Sequence, residues 1–453
     1  MTSPVVAAAI EHWDRLLAED ESLEDRVPAL REWMLERGLR IDDRPLCTVL
    51  RPHLVAEDDL AHDTHAAERV MSAIYKVHDA LLENRELQLR HLDKFHDWIG
   101  DLLHLEKRPV VDGAVMRLDS SLARSRHHFI ELNADMPQGM GHNDRVVDFF
   151  QRLDPYERFA ERYRVRPLRL EETLLETLLA IWSEWGGRGK PTIGIVTRTD
   201  DPVRVSSLEI DREYCAERGI HAVIVEPGEL SFEAGRLRHE DVEIDVVHRV
   251  IGTAECLAAR DEVAPLLDAV GEGAVCMVNS FRSELLGHKA IFALLTDPGY
   301  DFGFNGAERT AIREHVPWTR QVFDGKTTDA HGNEVDLVEH VAENRERLVL
   351  KPTHDFGGHG MRLGWDESEE SWRDAIANAL DTDYIAQHRV ELRREEYPTM
   401  DAPGAHTLYC EDTDPFLFRG RLGGLLTRLS PGELTNVHAE GSVVASFAIE
   451  PRD

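Results

Sequence analysis

Glu131 and Asn133 stand two residues apart, directly after the apolar pair Phe129 and Ile130, in the stretch FIELNADMPQGMG. A strand alternates its side chains between two faces, so Glu131 and Asn133 share one face while Leu132 takes the other. A carboxylate oxygen and a carboxamide oxygen then occupy one small volume. Upstream, MRLD places Arg117 and Asp119 on one face in the same way, with Asp119 twelve residues before Glu131. If the two runs are neighbours, Asp119, Glu131 and Asn133 form a set of hard oxygen donors suited to Mg2+, with Arg117 beside them as an oxyanion partner. A salt-bridged surface hairpin is the other use of such charges. Pro137 and Gly139 stop the run and let backbone approach whatever is held there.

Lysine is confined to seven positions, Lys76, Lys94, Lys107, Lys190, Lys289, Lys326 and Lys351, so one at the end of an apolar strand is informative. Lys351 closes LVLK and precedes the run Asp355, Phe356, Gly357, Gly358, His359, Gly360. A compact ammonium beside a glycine-rich loop suits a polyphosphate, because backbone N–H groups can close over the anion. The loop is not a Walker sequence, and a hairpin turn with a snorkelling lysine is the alternative. Further on, YIAQHRVEL offers a hinge whose backbone meets a purine and whose Glu391 reaches a ribose, or simply a buried strand. His62 with His65, and His127 with His128, have no zinc spacing, and no G-x-S-x-G elbow is present.

The elements that must position these residues change character along the chain. Residues 1–110 read as a helical N-terminal region, and residues 111–189 as two catalytic metal-binding strands with connecting helices. Residues 190–285 alternate strand and helix as a parallel α/β unit without G-x-G-x-x-G. Residues 286–398 carry a helix signal, SFRSELLGHKAIFALLTD, running in from residue 280, then the lysine strand, the glycine loop and a helix near Glu369 to Leu380. Residues 399–453 return as strands.

The net charge of −33 opposes nucleic acid and anionic membrane as partners. No apolar run is long enough to span a bilayer, and the first residues are broken by His12, Asp14 and Arg15 before a signal-like core can form. Five scattered cysteines, none in a CxxC pair, suit a reducing compartment, so the expected location is the cytoplasm. A homo-oligomer is left open.

The text MRLDSSLARSRHHFIELNADMPQGM resembles the metal-binding segment of D-alanyl-D-alanine ligases, and with VLKPTHDFGGHGMRLG it resembles the ATP-grasp superfamily. In ordinary members the lysine and glycine loop come first, whereas here Lys351 follows Glu131 by 220 residues, the order a circular permutation produces. The chain is therefore similar to the circularly permuted, glutathionylspermidine synthase-like group. VVHRVI, NSFRSELLGHKAIFALLTD, ERTAIREHVPWTR, Trp372, YIAQHRVE and GGLLTRLSPGELTNVHAEGS carry the likeness over about residues 110–450. One departure stands at Ala439, Glu440, Gly441, Ser442, where the family often has a glycine pair.

The resemblance implies a mixed α/β fold: a permuted ATP-grasp core with a helical N-terminal region and a pre-ATP-grasp α/β domain. It implies ATP and Mg2+ as cofactors. Lys289 and Lys351 would hold phosphates, Gly357, Gly358 and Gly360 would form the lid, and Gln387, His388 and Val390 would line the adenine. Asp119, Glu131 and Asn133 would ligate Mg2+, and Arg117 and Arg428 would be the catalytic arginines. The implied reaction joins a small-molecule carboxylate to an amine through an acylphosphate. A small-molecule kinase and a non-catalytic nucleotide-binding regulator are the alternatives. Arg249, Arg282, Arg419 and Arg421 are candidates for a second substrate carboxylate, with solvent exposure as their other reading.

Overall fold

The computed structural model describes all residues except 1, 2, 42, 124, 125, 355–359, 403, 433–440 and 453, and only the backbone of 93–98, 122 and 123. Four helices lead the chain: Pro4–Ala18, Leu23–Glu36, Glu57–Glu83 and Arg85–Leu103. The first starts on Pro4 behind a Ser3 cap, since proline's missing donor costs nothing in a first turn. The third opens on Glu57, Asp58 and Asp59, which favour a helix N-terminus, and buries Val70, Ile74, Val77 and Leu81 at three- and four-residue spacing.

Short strands in this region depart from the all-helical expectation: Arg40–Ile41 and Arg44–Pro45 pair as an antiparallel ladder, and a third strand follows. His53–Ala56 is a strand with all four residues buried, and it pairs in parallel with Ser446–Pro451, which pairs on its other side with Tyr163–Pro167. A short, fully buried apolar run has no two-residue period to betray it.

The carboxylate runs form the hairpin expected of them. Val115–Ala123 and Arg126–Asn133 are antiparallel, with Arg117 opposite Asn133 and Asp119 opposite Glu131, and a bulge follows Asp119. They sit in a six-stranded antiparallel sheet, ordered Ser442–Val444, Arg421–Ser430, His406–Phe418, Val115–Ala123, Arg126–Asn133, with Arg393–Pro398 also paired to His406–Phe418.

Residues 190–285 contain a four-stranded parallel sheet, ordered Cys276–Val278, Val246–Arg249, Thr192–Val196, His221–Val225. The crossover helix Pro202–Glu217 is capped by Asp201, whose carboxylate accepts from Val203 and Arg204 N–H.

The lysine strand, Leu348–Pro352, lies in another antiparallel sheet, ordered Thr319–Gln321, Tyr384–His388, Leu348–Pro352, Arg362–Leu363. Leu348 and Leu350 pack with Trp318, Trp372, Ile376 and Ala386, so alternation sends Lys351 to the opposite face. The expected single helix of residues 280–297 is two, Ser283–Gly287 and Ala290–Thr296. At the break Lys289 N–H donates to Thr353 O at 3.1 Å and Ala290 N–H to His288 Nδ1 at 3.3 Å, so the interrupted ladder loses no partner.

Candidate active site

The hairpin register brings Arg117, Asp119 and Asn133 into direct contact. Arg117 grips the Asp119 carboxylate with two bonds, Nε to Oδ1 at 2.8 Å and Nη2 to Oδ2 at 3.1 Å. Asn133 Nδ2 donates to Oδ1 at 2.8 Å, and Arg428 Nη2 donates to Oδ2 at 2.9 Å. Burial alone would raise the Asp119 pKa, but Arg117 and Arg428 outweigh it and hold the carboxyl at about 2.

Arg428 is shared by two acids that the sequence reading did not find. Its Nε bonds Asp412 Oδ1 at 3.1 Å, and Nη2 lies 2.9 Å from Asp412 Oδ2 and 2.8 Å from Asp414 Oδ2. Both acids alternate on His406–Phe418, which lies within the residues expected to return as strands, although neither acid was singled out. The E-D-T-D alternation was the available signal. Pro415 hid it, because a proline within a run argues against a central strand. The structure accommodates Pro415 at the point where the ladder to the hairpin stops: pairing with Val115–Arg117 covers Phe416 to Phe418, and beyond it Asp414 Oδ1 accepts the Ser120 N–H at 2.9 Å.

Lys289, Lys351, Glu131 and Gln387 meet beside this network. Lys289 Nζ is 3.3 Å from Glu131 Oε1. Lys351 Nζ donates to Gln387 Oε1 at 2.8 Å and approaches Ile130 O at 3.5 Å, while Gln387 Nε2 donates to Thr319 Oγ1 at 3.1 Å. Lys351 is only 3% exposed, and burial lowers its pKa to about 8 against the raising influence of Glu131. Two segments far apart in sequence thus place two ammonium groups against one carboxylate strand.

The remaining residues divide. His388 turns to the other face of its strand, its ring 5.1 Å from that of Trp318, and its N–H donates to Trp318 O. The strand ends there, so Val390 and Glu391 lie in the connection to Arg393–Pro398, with Ser121 Oγ 3.4 Å from Glu391 O. Gly360 has φ +68°, and a Cβ there would fall 2.8 Å from Pro352 Cγ, so the position needs glycine. Gly357, Gly358, Ala439 and Glu440 lie outside the described residues.

None of the four candidate substrate arginines is without an acidic partner. Arg249 is buried and bonded to Asp135, Asn279 O and Ile251 O. Arg282 pairs with Asp112, Arg419 with Glu184 and Arg421 with Glu68. A serine–histidine–aspartate order, Ser120 to His127 to Asp63, has contacts of 3.0 and 3.1 Å, but Ser120 donates its proton to Thr413 O and is no nucleophile.

The donor set fits Mg2+ by chemistry. Two carboxylates and an amide oxygen are the hard ligands it takes, and it ordinarily completes its shell with water and phosphate. Among the described residues no three Asp, Glu, His or Cys groups could hold an ion by themselves, which leaves such completion necessary. Asp119 already accepts four bonds, so Glu131, 22% exposed, is the more accessible carboxylate.

No family model matches the chain, and no curated protein matches it. Among solved structures it is similar to a glutathione synthetase-like effector from Globodera pallida, in apo form, with 14% identity over 95% of this chain and 98% of that one and a TM-score of 0.61. A candidate gamma-glutamylcysteine synthetase from Methylobacillus flagellatus matches at 11% identity over 87% and 89%, TM-score 0.44. A RimK-domain ATP-grasp protein from Sphaerobacter thermophilus matches at 16% over 56% and 90%, TM-score 0.26. The likeness to the first spans nearly the whole of both chains, and the fold is mixed α/β and like that of this effector.

Proposed function

We propose that this chain is an ATP-dependent carboxylate–amine ligase, with the permuted order of an ATP-grasp core. The observation that carries the reading is the meeting of Lys289 and Lys351 with Glu131 on the carboxylate hairpin. Cations that hold phosphate and oxygen ligands that hold a metal against it are what phosphoryl transfer requires, and no protein nucleophile is needed. The name of the neighbour that matches nearly the whole chain, a glutathione synthetase-like effector, agrees with this reading.

In this reading Lys289 and Lys351 hold the ATP phosphates, and Gly357, Gly358 and Gly360 close over them. Gln387 fixes Lys351, His388 and Val390 border the adenine, and Glu391 reaches the ribose. Asp119, Glu131 and Asn133 hold Mg2+, which when bound neutralises charge on the phosphates. Arg117 and Arg428 keep Asp119 ionised and place positive charge beside the transferring group. A substrate carboxylate attacks the γ-phosphate and expels ADP, and an amine then displaces phosphate from the acyl carbon. The buried thiols of all five cysteines agree with a reducing, cytoplasmic setting. No helix among the described residues is long and apolar enough to cross a membrane.

The test is phosphate release from ATP across a grid of carboxylic acids and amines. Release that needs both substrates supports the ligase. ADP formation without phosphate release, with an alcohol or acid alone and a stable phosphorylated product left behind, supports a kinase, and ATP binding without any turnover supports a regulator.

A further inference from the structure

The Asn279 side chain stands between the ends of the two carboxylate strands. Its Nδ2 donates to Val115 O at 2.7 Å, Ala134 O at 2.9 Å and Asp135 O at 3.3 Å, and its Oδ1 accepts the Val115 N–H at 3.0 Å. The residue is 3% exposed and directly follows Cys276–Val278, the edge strand of the parallel sheet. One carboxamide thus joins two sheets.

The hairpin register gives this position its meaning. Arg117 faces Asn133, so the ladder carried outward would set Met116 opposite Ala134 and Val115 opposite Asp135. It stops at Arg117 and Asn133 instead. Where Val115 and Asp135 would exchange backbone bonds, Asn279 supplies both a donor and an acceptor, a side-chain rung inserted between the strands. Buried backbone groups that the interrupted ladder would leave open therefore keep partners. Asn279 is itself held. Arg249 Nε donates to its backbone oxygen at 3.1 Å, and Arg249 Nη2 bonds the Asp135 carboxylate, which also accepts from the Thr253 N–H and Oγ1, both at 2.7 Å.

We propose that Asn279 is a positioning residue for the metal-binding set: it fixes the last rung, Arg117 with Asn133, and through it the spacing of Asp119, Glu131 and Asn133. This rests on the ligase reading, in which those three hold Mg2+ against the ATP phosphates. Val115 is two residues from Arg117 and Ala134 is next to Asn133, so a shift of either strand end moves a side chain that bonds Asp119 directly. Mg2+ demands near-ideal octahedral geometry and tolerates little such movement. The parallel sheet, which supplies none of the three ligands, thereby sets the distance between them.

The experiment is calorimetric titration of ATP into wild type, Asn279→Ala and Ser283→Ala, once with Mg2+ and once with EDTA, on protein shown to be folded by circular dichroism. Ser283 is the comparison because its Oγ accepts the Gly113 N–H at 2.8 Å, a buried bond from the same segment to the same strand's approach, but outside the two strands. Removing a group that orients a metal ligand usually costs about 10- to 100-fold in affinity. Asn279→Ala should lose that much of the Mg2+-dependent tightening while metal-free ATP binds as in wild type, and Ser283→Ala should keep the tightening. Full Mg2+ dependence in Asn279→Ala, or an equal loss in Ser283→Ala, would overturn the proposal. Wild type that binds ATP no better with Mg2+ than with EDTA would overturn the ligase reading, and the proposal with it. Should Asn279→Ala fail to fold, hydrogen exchange of the wild type decides. The Val115 amide should exchange more slowly with Mg2+ and ATP than with ATP and EDTA, and the Gly113 amide should not change. Equal slowing at both, or none at Val115, would overturn the role of Asn279.

Discussion

Two buried groups of carboxylates, built from the same residue types, are treated in opposite ways. At the hairpin, Asp119, Asp412 and Asp414 are threaded by Arg117 and Arg428. Where helices Met140–Gln151, Glu171–Trp185 and Pro202–Glu217 meet, Asp144, Glu171 and Asp211 have no such cation between them. Arg145 and Arg169, the cations nearest to Glu171, turn to Glu213 and Asp148. Asp144 accepts the Leu170 and Glu171 N–H groups, while Glu171 Oε1 and Asp211 Oδ1 have no hydrogen-bond partner among the described residues. Burial pushes Asp144 to about 6, and burial with repulsion from neighbouring acids pushes Asp211 to about 8 and Glu171 to about 10, against about 2 for Asp119. Burial taxes a carboxylate in both places; the interleaved guanidiniums reverse the sign at Asp119, while burial and the neighbouring Asp119 and Asp412 still push Asp414 well up.

The largest effect should come from making the first group resemble the second. Arg428→Met removes the guanidinium that three buried carboxylates share, and breaking a buried pair in this way costs about 3–5 kcal/mol. Chemical denaturation should show that loss at neutral pH and its recovery in acid, as the acids protonate. A stability unchanged from wild type would mean that the hairpin centre needs no cation.

Glu131→Gln removes one accessible carboxylate and leaves the arginine network alone. Turnover should fall by roughly a thousandfold, equal to about 4 kcal/mol of transition-state stabilisation, with ATP still bound. Wild-type rates at several Mg2+ concentrations would reduce the opening pair of oxygens to hairpin polarity. Lys351→Ala should weaken ATP binding by about 2 kcal/mol, or some thirtyfold, by removing a charge-assisted phosphate contact, and calorimetric titration reads it directly.

The smallest effect belongs to the helix junction. Folded-state pKa values raised above the unfolded range give stability that is whole below pH 4 and is lost as pH rises through about 6 to 10. Asp119, held low, behaves conversely: its contribution is present above its unfolded value and lost as pH falls toward 2. Asp211→Asn should therefore stabilise by about 1–2 kcal/mol at pH 9 and by less at pH 5, measured by denaturant titration. Equal effects at both values would mean that Asp211 is ionised throughout.

Alternation made the hairpin legible, because one buried face imposes a period of two on Arg117, Asp119, Glu131 and Asn133. The same rule failed on Asp412 and Asp414, where Pro415 interrupts the ladder and a side-chain carboxylate replaces a backbone acceptor. Lys289 was legible as a lysine, but its place at a helix break was not, since the bond that compensates the break comes from Thr353. Asn279 carried no local signal of its task, for its bonds to Val115 and Ala134 exist only once the parallel sheet has docked on the hairpin. What a residue does with its own neighbours in sequence could be read, and what it does with partners from another segment could not.

The parallel pairing of His53–Ala56 with Ser446–Pro451 bears on how the molecule is made. Neither the three-stranded sheet nor the hairpin's contact with Phe416–Phe418 can close until the late strands have left the ribosome. Contacts of such long range make folding slow, because loop entropy is lost before they repay it. Through most of synthesis the Val115–Arg117 edge waits without its partner, an open edge beside Met116 and Leu118 that another chain can pair with. A chain stopped near residue 400 should therefore accumulate as aggregate or bound to chaperones, even though every residue of the carboxylate hairpin and both lysines would already be present.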